Sequence, residues 1–325
     1  MNHLIAYFRL DHEYKSHSNE GMISYKRIQA AVVIGITAVG FIANSYLCAS
    51  NIQGRLSLKK LVVALKPDKN PDRMLDEKIN LSDCLKEYLE REIEVMIPLS
   101  SAVIIEGFAN GTIDIGYLSS TGTSKAIERG VADVLLAGEI DGKPYYMSYW
   151  IALKDSPYTR VEDLRGKPIA FSSRTSTSGF IIPTWDLYKK GLIELMGHPE
   201  NFFGKGNIYY GVGYVSAANR VLEGQSEAAA VSYYVLDKDK HLSVDERARL
   251  KMIASQGPIP SHIIAIRKSI IPEDRSLIKQ ALLAMNIHHP DLRDRIFTSR
   301  LIEVDADTHL APIREALSLI SRINH

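Results

Sequence analysis

The sequence predicts an α/β protein built on two sheets, and two observations carry that prediction. Short apolar runs alternate with helix-period segments across short connections, which is the pattern of a sheet flanked by helices. The same alternation then starts again in the second half of the chain, which implies a second sheet. A chain of 325 residues, 46% of them apolar and 24% charged, can bury two cores, and its net charge of +1 excludes a nucleic-acid binder of the usual basic kind.

The first 50 residues stand apart from this pattern. Residues 1–21 are mixed in charge and carry His3, His12 and His17 at spacings unsuited to a metal, so Met22 is the better start and the stretch before it reads as an upstream extension. Lys26 and Arg27 then lead into an apolar run from Ala30 to Ala43, followed by small and polar residues up to Ser50. That is the pattern of a signal peptide, with an apolar run short for a membrane span. Export with cleavage is expected, and a retained anchor is the alternative. Cys48 stands where a lipoprotein carries its lipidated cysteine, although Leu47 before it fits poorly, so cleaved, lipidated and retained N-termini all stay open. Cys84 shares a helical face with Leu81, Leu85 and Tyr88 and reads as a buried small hydrophobe.

From there the elements follow in order. Leu61–Leu65 reads as a strand, Leu81–Glu92 as a helix, Ile93–Ile97 as a strand, Ala102–Ala109 as a helix and Ile113–Leu118 as a strand. The second series is Ile169–Phe171, a helix from Phe180, Ile208–Tyr210, a helix over Ser216–Glu223, Ala228–Val231 and Leu250–Ala254. No linker rich in Pro, Gly or Ser separates the two series, so strands must make the crossings. Tyr149–Leu153 and His262–Ile266 are the candidates, giving a first domain of residues 57–150 plus 262–325 and a second of 151–261.

Ser176-Thr177-Ser178-Gly179 is the most informative stretch. It follows the strand ending near Phe171 and precedes a helix with Pro183 near its first turn. A helix start exposes backbone N–H groups without intrahelical partners, its dipole favours negative charge, and glycine lets backbone approach a ligand. The alternative is plain N-capping, which any Ser or Thr supplies.

The neighbouring segments Trp150–Pro157, Val161–Phe171, Ser176–Pro183, Phe108–Leu118, Gly257–Pro260 and Ile263–Lys268 together resemble the phosphonate, phosphite and phosphate family of ABC-transporter solute-binding proteins, over about Leu61 to Ile313. The resemblance implies the type II two-lobed periplasmic binding protein fold: each lobe a central sheet flanked by helices, joined by two crossing strands and closing on a ligand in the cleft. It also implies an exported monomer, periplasmic or on the outer face of the cytoplasmic membrane. Such a protein captures a phosphorus oxyanion and delivers it to an ABC permease, without cofactor, metal or catalysis, and meets the membrane only through an N-terminal anchor or lipid. An exported oxyanion sensor that signals to a membrane kinase is the second reading. Motifs for a catalytic triad or a zinc protease are missing, which argues against an enzyme.

The resemblance matches Ser176, Thr177 and Ser178 to the family's phosphonyl-oxygen site. Ser119, Ser120 and Thr121 follow a strand of the opposite lobe and either cap a helix or face the ligand. Tyr214 stands where many relatives have a histidine; it offers a neutral phenol or is a packed aromatic. Ser232 and Tyr233 occupy a region where amine-bearing phosphonates meet a carboxylate, so an inorganic oxyanion or a phosphonate without an amine is expected. Asp237, beside Lys238, reads as solvated. Tyr146, with Tyr145, and His262 flank the crossings, each with a scaffold reading beside the cleft reading. The loop Lys66–Asn70 matches the family weakly and is left out.

Overall fold

The structure, a computed structural model, describes residues 54–66, 71–194, 197–238, 242–297 and 300–323. The signal-like run, Met22 and Cys48 lie outside these residues. The strands are β1 (Lys60–Ala64), β2 (Glu92–Met96), β3 (Ile115–Leu118), β4 (Ala132–Glu139), β5 (Tyr145–Leu153), β6 (Ile169–Phe171), β7 (Ile208–Tyr210), β8 (Ala228–Ser232), β9 (Leu250–Pro260), β10 (Ile263–Arg267) and β11 (Arg300–Ile302). Helices of eight residues or more are α1 (Pro71–Leu89), α2 (Ser101–Asn110), α3 (Ser120–Glu128), α4 (Ile182–Lys189), α5 (Tyr214–Leu222), α6 (Pro272–His288), α7 (Pro290–Phe297) and α8 (Ala306–Ile323).

Two sheets form, ordered β11-β4-β10-β3-β1-β2 and β7-β6-β8-β5-β9. Edge strand β11 aside, they share one topology, in which β2-β1-β3-β10-β4 corresponds to β7-β6-β8-β5-β9. In each the first three strands are parallel and the fourth runs against them. That fourth strand, β10 or β5, is the one that has just crossed from the other lobe. Equivalent strands therefore end in equivalent loops. The loop after β3 corresponds to the one after β8, and the loop after β1 to the one after β6.

Each lobe has its own core. Ile104, Phe108, Ile113, Leu118 and Ile263 centre the first. Trp150, Phe171, Phe180, Trp185, Phe202 and Phe203 centre the second. Helix α8 belongs to both, because Leu310 packs in the first core while Ile313, Ala316, Leu319 and Ile320 pack in the second. Burying a large aliphatic side chain stabilises by about 1.5–3 kcal/mol, so this helix carries a sizeable share of the second lobe's stability.

The strand pairing redraws the expected domain boundaries. β5 pairs from Tyr145 onward with β9, which puts residues 145–150 in the second sheet, and α8 of the segment 262–325 fills the second core. Strand β4, absent from the expected elements, carries Asp133 inside its apolar run; the carboxylate accepts from Lys268 (2.9 Å) and Arg275 (2.7 Å). Helix α1 begins ten residues before the expected Leu81 because Glu77 breaks the buried stripe of Met74, Leu81, Cys84, Leu85 and Tyr88.

Candidate functional site

Two helix starts meet where the lobes face each other. In the first lobe β3 ends at Leu118, Ser119 takes an extended conformation, and its Oγ accepts from the Gly122 N–H at 3.2 Å, opening α3. In the second lobe Ser176 does the same for Gly179, at 3.0 Å. Ser119-Ser120-Thr121-Gly122 and Ser176-Thr177-Ser178-Gly179 are thus the same device, a capping serine, two further hydroxyls and a glycine. Between the lobes Thr121 Oγ1 and Thr177 Oγ1 share a hydrogen bond of 2.7 Å. At both loops the serine caps its helix, while the threonines reach across to each other between the lobes.

The second start differs in one respect. Residues Thr177–Ile181 form a π-helical turn, with the Ile181 N–H reaching the Ser176 carbonyl at 3.0 Å, and α4 continues from it. Strands of the second sheet hold the turn from below. The Ser178 carbonyl accepts from Ser148 Oγ (2.6 Å), Ser148 Oγ accepts from Gln256 (2.7 Å), and Ser172 Oγ donates to the Ala230 carbonyl (2.8 Å). Ser178 Oγ and the Tyr214 phenol are 2.7 Å apart, and Tyr146 also bonds to Ser178. Burial pushes the phenols of Tyr146 and Tyr214 above their usual value, so both remain protonated donors at any ordinary pH.

Several polar atoms in this region have no partner. Ser120 Oγ, Thr123 Oγ1, Ser232 Oγ and the Gln256 side-chain oxygen are buried and unpaired. A buried polar group left so costs about 1–3 kcal/mol, which a ligand offering complementary groups would recover. Ser232 lies opposite Ser148 in the β5–β8 register, which places it beside the Ser178 carbonyl's donor.

Aromatic rings close one side. The Tyr146 ring lies 5.8 Å from Tyr233 and 6.4 Å from His262, nearly parallel to the latter. His262 is 5.5 Å from Tyr117, whose hydroxyl donates to the Phe297 carbonyl at 2.6 Å. The eleven candidates from the sequence therefore lie near one another: Ser119, Ser120, Thr121, Ser176, Thr177, Ser178, Tyr214 and Tyr146 around the two helix starts, Ser232 by register, Tyr233 and His262 through rings.

One residue set aside from the sequence joins them. Lys66 Nζ lies 3.2 Å from His262 Nε2. It follows β1 and so occupies the position equivalent to the loop after β6, a correspondence visible only once the strand orders are known. Asp237 is not simply solvated: it accepts from the Tyr149 phenol at 2.7 Å, and burial together with this carboxylate pushes Tyr149 up to about 12. Among the described residues no group of three or more His, Cys, Asp or Glu side chains is placed to hold a metal ion.

Two α/β lobes of like topology, joined by two crossings and presenting helix starts to each other, define a two-lobed binding protein of the type II architecture. The family model for phosphonate periplasmic substrate-binding proteins of ABC transporters matches residues 63–309, and the chain belongs to that family. The phosphonates-binding periplasmic protein of Escherichia coli K12 is 28% identical over 174 residues, covering 52% of this chain and 49% of that protein, so the match spans about half of the relative's length. The phosphate-import protein PhnD of Mycolicibacterium smegmatis is 23% identical over 218 residues, 66% of this chain and 68% of its own. The structure of PhnD1 from Prochlorococcus marinus in complex with methylphosphonate shares the fold, with a TM-score of 0.68 and 18% identity over 82% of this chain and 99% of that one.

Proposed function

We propose that this protein is the exported solute-binding component of an ABC transporter, capturing a phosphorus oxyanion between its lobes and delivering it to a membrane permease. The observation that carries this reading is the meeting of two hydroxyl-bearing helix starts at Thr121 and Thr177, with Ser120 Oγ and Thr123 Oγ1 buried and unpaired beside them. The oxyanion's oxygens accept from these hydroxyls and from first-turn N–H groups of both lobes other than those of Gly122 and Gly179, which the serines hold, while Ser178, Tyr214 and Tyr146 supply neutral donors. Each charge-assisted bond is worth roughly 1.5–3 kcal/mol, so a handful supports micromolar or tighter capture after ordering costs. The names of the relatives, one for phosphonates and one for phosphate import, support the same ligand class.

Within that class the reading favours phosphite, phosphate or a phosphonate without an amine. An ammonium group needs a carboxylate, and the end of β8 and the positions after it are Ser232, Tyr233 and Tyr234, with Asp237 engaged by Tyr149. The cycle is one of binding and release, with no bond made or broken in the ligand.

Isothermal titration of ligand-stripped protein against phosphite, phosphate, methylphosphonate and 2-aminoethylphosphonate tests this. Tight binding of one small oxyanion, lost in the Ser176→Ala, Ser178→Ala double variant, is the expected outcome. Preference for 2-aminoethylphosphonate would refute the argument from the missing carboxylate, and silence with all four would refute the ligand class.

A further inference from the structure

Both lobes place a cation in the same loop. Lys66 stands two residues past the end of β1 and Arg174 three past the end of β6, in the loops that the shared strand order makes equivalent. Each loop leaves an interior strand on the side where open α/β sheets receive their ligands. Arg174 is two residues ahead of Ser176, which caps the turn of the second lobe, and Lys66 reaches His262 beside Tyr146. Both cations are exposed.

The two are also held alike. The Arg174 guanidinium lies 3.8 Å from the centre of the Tyr210 ring, and among the described residues it forms no ion pair. Tyr210 is itself fixed, its ring stacked on Phe171 at 5.8 Å and met by Phe180 edge to face at 5.6 Å. Lys66 Nζ is 3.2 Å from His262 Nε2, where the ammonium donates and the imidazole accepts as a neutral ring. A ring face or a neutral nitrogen does not cancel a positive charge. It restrains the side chain and so keeps the charge beside the cleft.

We infer that Arg174 and Lys66 are steering residues, which draw the oxyanion from both lobes toward the two helix starts before any hydroxyl meets it. The inference rests on the oxyanion reading given above. A net charge of +1 makes the field of the whole chain weak, so attraction comes from charges within about one Debye length of the cleft, roughly 8 Å at physiological ionic strength. The cleft donors are hydroxyls and backbone N–H groups, dipoles whose field fades with distance faster than that of a charge. The roles therefore divide: the hydroxyls govern how long the oxyanion stays, and the two cations govern how fast it arrives.

Stopped-flow mixing of the ligand-stripped full chain with phosphite, phosphate and methylphosphonate, read by intrinsic fluorescence at ionic strengths from about 10 to 500 mM, tests this. The association rate of the unaltered protein should fall about tenfold across that range. Arg174→Gln and Lys66→Gln should each lower it about threefold at the lowest ionic strength and together about tenfold, while the charge-retaining Arg174→Lys and Lys66→Arg preserve the fast rate. At high ionic strength all the variants should converge on the unaltered protein, with dissociation rates within about twofold of one another. A double variant as fast as the unaltered protein at low ionic strength overturns the inference. A loss that persists at high ionic strength, or that lies in dissociation, overturns it too, since either marks a contact or a packing role. Silence of the unaltered protein with all three oxyanions overturns the ligand class and this inference with it, so the two failures are told apart.

Discussion

The two halves of the cleft are built from nearly the same four residues and differ in how tightly those residues are held. Ser119-Ser120-Thr121-Gly122 opens a regular helix, and a Cβ added at Gly122 would lie 3.5 Å from Leu118 and Ser101, an ordinary contact. Ser176-Thr177-Ser178-Gly179 opens through the π turn, and a Cβ at Gly179 would fall 2.3 Å from Ser172 Oγ and 2.4 Å from its Cβ. The first lobe thus presents its hydroxyls with slack, some of them unpaired. The second has its turn wedged onto the ends of β6 and β8 and its hydroxyls already bonded. The same residue pattern, at two loops that the sheet topology does not make equivalent, is held tightly on one side and loosely on the other.

Substituting the glycines tests this contrast most severely. Gly179→Ala is expected to cost about 1–3 kcal/mol of stability through overpacking and, by displacing Ser178, roughly 100-fold in oxyanion affinity. Gly122→Ala is expected to stabilise by about 0.5–1 kcal/mol with affinity little changed. Urea melts and titration calorimetry on the pair decide it, and equal losses would erase the distinction.

The hydroxyls give the next step. Ser178→Ala and Ser120→Ala should each lower oxyanion affinity by about 10- to 100-fold, because each removes a donor to an anion. Only Ser178→Ala should also lower stability, by about 1 kcal/mol, since it removes a bond to the Tyr214 phenol, whereas Ser120 Oγ has no partner to lose. A stability loss of similar size in Ser120→Ala would show that the first lobe has no slack. A smaller effect is expected of Tyr214→Phe, about fivefold in affinity by calorimetry, with unchanged binding counting against the phenol as a donor.

Titration separates the lobes last and most gently. In the second lobe burial raises the phenols of Tyr146, Tyr214 and Tyr233. Their contribution to stability is complete below about pH 10, the unfolded value, and is lost as pH rises through the folded values. In the first lobe burial pushes the Asp133 carboxyl up, but the bonds from Lys268 and Arg275 outweigh it and hold it below its ordinary value. That contribution is present above about pH 4 and is lost as pH falls through the folded value. Both tryptophans, Trp150 and Trp185, sit in the second core, so urea midpoints read by their fluorescence should fall above pH 10. Asp133→Asn should change only the acid limb, read by circular dichroism, and a changed alkaline limb would contradict the assignment.

Much of this was legible in the residues. The apolar runs of β3, β6 and β8 announce themselves because these strands are buried on both faces, and Ser176–Gly179 stands out because a strand and a helix pattern bracket it. The rest depends on distance in space. Asp133 hides β4 by placing a carboxylate inside an apolar run, and its ion-pair partners are more than 130 residues away. Lys66 reaches His262 across 196 positions, and nothing in the loop around it signals that meeting. The kinship of the two Ser-x-x-Gly starts becomes visible only when both are seen capping helices that face each other.

Helix α8 gives the molecule an order of assembly. A chain made from its N-terminus onward contains nearly all of both sheets by residue 302, yet neither core is complete then. Leu310 closes one, and Ile313, Ala316, Leu319 and Ile320 close the other. Residues 306–323 follow every strand of both sheets, so the growing polypeptide is kept short of its final packing until that helix has been made. A chain that has to be threaded through a translocation pore before it folds gains time from that arrangement.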